Sequence, residues 1–197
     1  MGLNYSYVLV VAPAAEPRLD AYLRQAGSVE QLSKPYTGTC LTLDFPLDEA
    51  LLAYLREDIQ RSPDPARSSW ARFRKSDYRQ HFPTDDTGRV GCLYLDSALD
   101  PVSGQLFVEF TAATSRMSRM LQDSSSIRRW FLDLSAELGA TATFLHLEAD
   151  GYRFIDLHGQ ETAAAVDEDL RVQTATAAER DAVLGLCWGY DTLFLNS

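Results

Sequence analysis

Three histidines, three cysteines and no apolar run approaching about 18 residues leave this 197-residue chain poor in the features that most functional motifs need. With no long apolar run, no spanning helix and no membrane role is expected. The first cation is Arg18, behind the apolar stretch Tyr7 to Val11, so the charged start of a secretory signal is not found either. Met1-Gly2 with Ser6 fits the short myristoylation pattern, but a strand starting at Asn4 leaves little free arm for an acyl chain. Cys40, Cys92 and Cys187 are odd in number and far apart, which writes neither a disulfide framework nor a Cys-x-x-Cys metal or redox site. A reducing cytoplasm is the expected setting.

Catalytic signatures are equally scarce. There is no Gly-x-Ser-x-Gly elbow and no dinucleotide, Walker or EF-hand pattern, so no cofactor is expected. Cys92 sits mid-strand beside Gly91 and Leu93 with no cation adjacent, the setting of an inert thiol. Asp85-Asp86 before Gly88 reads as turn chemistry rather than a divalent-ion site.

What is present is an ordinary globular composition, 46% hydrophobic, of a length that suits one domain. Asn4 to Ala12 reads as a strand buried on both faces, because Val8 to Val11 is continuously apolar. Leu19, Tyr22, Leu23 and Ala26 form a helical stripe after Pro17 and before Gly27. A second strand, Thr37 to Phe45, leads into a helix opened by Pro46, Asp48 and Glu49 and running to about Asp58. Residues 59–88 interrupt this rhythm with Pro63, Pro65 and a polar run, and read as an irregular insertion. Strands follow at Val90 to Leu95 and Gln105 to Thr111. A helix from about Ser125 to Leu138 carries Ile127, Trp130, Phe131, Leu134 and Leu138 on one stripe, with Gly139 as its stop.

Asp150-Gly151 has the chemistry of a two-residue type I′ hairpin turn, which would set Glu148 opposite Arg153 and His146 opposite Ile155. That register puts His158 on the other face from His146, a conclusion that a bulge of one residue would reverse, so the two would not join in one metal site, and no metal is expected. Thr176 and Glu179 form a capping box before a last helix. The expected architecture is α+β: a single compact domain with a mixed, mostly antiparallel sheet of about six strands and about four helices packed against it.

Charge is segregated along the chain. Residues 130–197 hold three basic and twelve acidic side chains, residues 61–82 six basic and two acidic, and the whole chain carries −10. That balance repels a phosphate backbone, so no nucleic acid is expected, and it suits a basic protein partner. The acidic turn Asp167, Glu168 and Asp169 is the candidate contact on one side. Trp70, Arg72, Arg74 and Tyr78, which interleave aromatics with cations, are the candidates on the other. Trp70, Phe73, Tyr78 and Phe82 also fit one half of a helix, the pattern of plain core packing. A second cationic set, Arg116, Arg119, Arg128 and Arg129, flanks Ser124-Ser125-Ser126, where an anion could rest on the free N–H groups of a helix start.

The function these features imply is a non-enzymatic cytoplasmic binding protein, an acidic inhibitor or toxin-neutralising (immunity-type) protein that occludes a basic partner. The alternative is an enzyme on a small anionic substrate, with an arginine-rich site and a histidine base drawn from His146, Glu148 and His81.

Overall fold

The structure, a computed structural model, describes residues 3–32, 38–61, 80–173 and 175–195. The chain is an α+β domain on one antiparallel sheet. Its first half contributes β1 (Ser6–Val11), a 3-10 turn, α1 (Glu16–Ala26), β2 (Gly27–Leu32), β3 (Gly38–Pro46), α2 (Glu49–Arg61) and β4 (Thr87–Leu99). Then come β5 (Leu106–Ala112), α3 (Ser115–Asp123), α4 (Ser125–Leu138), β6 (Ala142–His146) and β7 (Tyr152–Leu157). Three two-residue strands, β8 (Gln160–Glu161), β9 (Ala165–Val166) and β10 (Val172–Gln173), precede α5 (Ala177–Tyr190). The sheet order is β10-β9-β7-β6-β1-β5-β4-β3-β2, with β8 on β7, and every pairing among the described strands is antiparallel.

The continuous apolar run of β1 is explained by its place at the centre, since all six of its residues are buried. Tyr7, Leu9 and Val11 enter a core beneath α1 to α4, while Val8 and Val10 enter a second core sealed by α5. Each fully buried side chain of this size contributes about 1.5–3 kcal/mol. The stripe of α4 is buried along its whole length: Phe131 stacks on Tyr7 at 4.0 Å, and Trp130 meets Phe45 edge-on at 5.0 Å. Gly139 ends α4 at φ 65°, a left-handed conformation that suits glycine, and Arg18 donates to the last carbonyls of α4 at Glu137 and Leu138. Gly27 ends α1 for a different reason. Its backbone is extended, and a Cβ there would lie 1.9 Å from the Thr42 carbonyl oxygen of β3.

Among the described residues the sheet has ten strands rather than about six, and there are five α-helices rather than about four. The additions are the strands β2, β8, β9 and β10 towards the ends of the sheet, too short or too hydrophilic to show a buried alternation, and α3, whose buried Met117, Met120 and Leu121 alternate in sequence with arginines and serines.

The hairpin register differs as well. Asp150-Gly151 is not a type I′ turn: residues 148–150 form a 3-10 turn, and the ladder pairs His146 with Tyr152 and Leu145 with Arg153. A bulge then shifts the register, so Thr143 faces Asp156. Glu148 therefore does not face Arg153; its carboxylate accepts the Asn4 backbone N–H at 3.0 Å. The two-residue turn lies one hairpin later, at His158-Gly159 between Leu157 and Gln160, where both central residues have positive φ, 54° and 78°.

Candidate functional site

The candidate residues Trp70, Arg72, Arg74 and Tyr78 lie outside the described residues, as does most of the 59–88 insertion; α2 runs on to Arg61, and Phe82 is buried in the core beneath α1 to α4.

The acidic turn is described, and it divides by role. Asp167 builds the β9–β10 connection: its carboxylate accepts the backbone N–H of Arg171 at 2.8 Å and of Asp169 at 3.1 Å, and the Gln173 side-chain amide at 3.2 Å. The Arg171 N–H above all holds this carboxyl below its ordinary range. Glu168 and Asp169 are exposed, and Asp169 forms a surface ion pair with Arg171 at 2.7 Å.

Beside this turn, α5 starts from the expected capping box. Thr176 accepts the Glu179 N–H, and the Glu179 carboxylate takes the Thr176 N–H at 2.8 Å and the Thr162 hydroxyl at 2.9 Å. Val183, Cys187 and Tyr190 point inward and are buried. Trp188 points outward and is 61% exposed, on the same side as the exposed Asp181 and Gly185. An indole costs free energy in water, and tryptophan is among the residues that most often anchor protein interfaces. Sequence reading passed Trp188 over, although its position off the Ala182, Val183, Leu186, Cys187 stripe was a usable signal.

A polar chain fastens the far end of α5 to the sheet. Tyr190 donates to Glu109 of β5 at 2.5 Å, and its oxygen lies 3.1 Å from Nδ1 of His146 on β6. Since the hydroxyl proton is directed to Glu109, His146 donates from Nδ1 and its neutral ring carries no proton on Nε2. His146 also stacks on Tyr152, whose hydroxyl donates to Asp191 just beyond α5. Burial drives the His146 pKa down to about 4 and raises that of Tyr190 far above the ordinary phenol range, with Glu109 adding to the latter.

The alternative catalytic residues are dispersed. His146 is 5% exposed and faces α5, Glu148 lies in the 3-10 turn against Asn4, and His81 precedes Phe82, which belongs to the core on the opposite face of the sheet. A cleft of about 360 Å³ does lie beside α5, but it is lined by Asp100, Gln105, Thr141, His158 and Asp181 rather than by His146.

Most of the arginine and serine set is also satisfied from within. Asp48 of the β3–α2 junction accepts Ser124 Oγ at 2.9 Å, Ser125 Oγ at 3.1 Å and the Ser126 N–H at 2.9 Å, and with its other oxygen the Leu51 N–H at 2.9 Å. The anion at this helix start is thus the protein's own. Burial opposes ionisation of Asp48, but the Leu51 and Ser126 N–H groups and the two hydroxyls outweigh it and hold its pKa below the usual carboxylate range. Arg116 pairs with Glu57 and Asp58 of α2 and donates to the Tyr54 carbonyl, while Arg128 and Arg129 pair with Glu161.

Among the described residues no three His, Cys, Asp or Glu side chains converge in a set able to hold a metal ion, and no helix is long and apolar enough to cross a membrane. The chain matches no protein-family model, no curated protein and no solved structure.

Proposed function

We propose that this chain is a non-enzymatic cytoplasmic binding protein, of the inhibitor or toxin-neutralising kind, that occludes a basic protein partner with the outer side of α5 and the neighbouring β9–β10 turn. The observation that carries this reading is Trp188, a large aromatic left 61% exposed on a helix whose inner face is fully used, inside the stretch where acidic side chains outnumber basic ones twelve to three. An aromatic anchor supplies buried contact area, and surrounding carboxylates steer a cationic partner and disfavour acidic ones.

The test takes a partner isolated on the wild-type protein and measures its affinity for Trp188→Ala. As an interface anchor, Trp188 should cost about 2 kcal/mol or more in binding when truncated, close to a thirtyfold loss. Its exposed position should leave folding stability within about 0.5 kcal/mol. Unchanged affinity for Trp188→Ala would remove α5 as the contact face. Turnover of a small anion that is abolished by His146→Phe would favour the enzymatic alternative instead.

A further inference from the structure

We propose that Cys40 and Cys92 form a two-thiol oxidation site, which a peroxide converts into an intramolecular disulfide bridging β3 and β4. This inference is independent of the partner reading. It concerns the half of the sheet that α5 does not cover.

Along β3, Leu41, Leu43 and Phe45 face the core beneath α1 to α4, so Cys40, Thr42 and Asp44 face the other way. On β4, Val90 and Leu93 both belong to that core although three residues separate them, because a bulge sets Gly91 and Cys92 against the single residue Thr42. The bulge holds Cys92 at φ 62°, a left-handed conformation that few non-glycine residues adopt. Cys40 is directly opposite Tyr94, so Cys92 is its diagonal neighbour. Diagonal neighbours in a regular ladder stand about 7–8 Å apart, at the limit of what a disulfide spans. Here the bulge closes the difference: the thiol and backbone of Cys92 stand near enough to Cys40 to perturb its titration. Cys92 is exposed, Cys40 is half-buried, and the third thiol, Cys187, is sealed beneath α5.

The chemistry divides between the two sulfurs. The accessible Cys92, as thiolate, attacks one peroxide oxygen; the O–O bond breaks, a sulfenic acid forms and the other oxygen leaves as water. The Cys40 sulfur then attacks the sulfenic sulfur, the S–O bond breaks, and that oxygen leaves as a second water. Two thiol hydrogens and two electrons pass to hydrogen peroxide, which is the oxidant. Burial, followed by the nearby Cys92, raises the Cys40 pKa, which leaves Cys40 the less reactive of the two towards peroxide.

The experiment treats the full chain, fully reduced, with hydrogen peroxide, alkylates the remaining thiols under denaturing conditions and digests with trypsin. The Lys34–Pro35 bond resists trypsin, so Cys40 falls in peptide 25–56 and Cys92 in peptide 90–116, and neither peptide holds another cysteine. The expected product is a monomer lighter by about 2 Da, with these two peptides joined and Cys187 alkylated. In Cys40→Ser the joined pair should vanish and Cys92 should go on to sulfinic acid, heavier by about 32 Da. Wild-type protein that gives Cys92 sulfinic acid, or an intermolecular dimer, with Cys40 still open to alkylation overturns the proposal.

Discussion

His146 shows how a residue's role depends on what closes over it. In the sequence it is one of three histidines and a candidate base; in the structure its ring lies between Tyr152 and Tyr190 and holds the end of α5. The sign of its pH effect follows from burial. The folded pKa is about 4 against an ordinary 6.5, so between these values the unfolded chain binds a proton that the folded chain refuses. Its contribution to stability is complete above about pH 6.5 and falls away as pH drops towards 4, by about 3 kcal/mol over the full range. Urea unfolding at pH 7 and pH 4.5 should show this loss in the wild type and a clearly smaller one in His146→Phe, which keeps a ring between the tyrosines. Equal losses in both proteins would assign the acid sensitivity to carboxylates alone. This site was only partly legible in the sequence: the alternation of β6 puts His146 on a face, but its partners Tyr190 and Glu109 come from distant elements and no local pattern joins them.

At the scale of elements, legibility followed periodicity. The helix 125–138 and its glycine stop could be read because one dense stripe and one left-handed position define them locally, and the capping box at Thr176 could be read for the same reason. The β6–β7 hairpin could not, since Asp-Gly chemistry at 150–151 competes with a ladder whose register depends on a bulge. The type I′ turn formed at His158-Gly159 instead, with a histidine where asparagine would fit φ 54° better. His158→Asn should therefore raise stability by about 0.5–1 kcal/mol in urea titrations. Asp48 joins two elements, serving the starts of both α2 and α4. Replacing it with alanine removes both sets of bonds and should cost about 2–3 kcal/mol, more than the ~1 kcal/mol of an ordinary cap. A loss near 1 kcal/mol would mean that water replaces it at one of the two helices.

Across the whole molecule, what the sequence shows best is charge, and the structure adds which carboxylates lie exposed at the surface. Asp167 is committed to the β9–β10 connection, whereas Glu168 and Asp169 are exposed, so a test of steering should spare Asp167. Glu168→Gln with Asp169→Asn is expected to slow association with the partner and leave dissociation nearly unchanged. The deficit should shrink as added salt shortens the Debye length below about 8 Å. Stopped-flow association at two salt concentrations measures it, and a rate insensitive to the double substitution at low salt would leave the acidity as a matter of solubility.

The placement of β1 at the centre of the sheet has a consequence for how the chain is made. Ser6 on β1 pairs with Thr111, 105 residues later, and with His146 later still. A ribosome adding roughly 5–20 residues per second needs about 5–20 s to supply the first of these partners. For that time the most apolar strand of the molecule is synthesised with both hydrogen-bonding edges open, a template for pairing with other chains. Slow translation therefore prolongs the interval of greatest aggregation risk, and holdase chaperones that cover the first dozen residues should raise the yield of folded protein more than those that act on the completed chain.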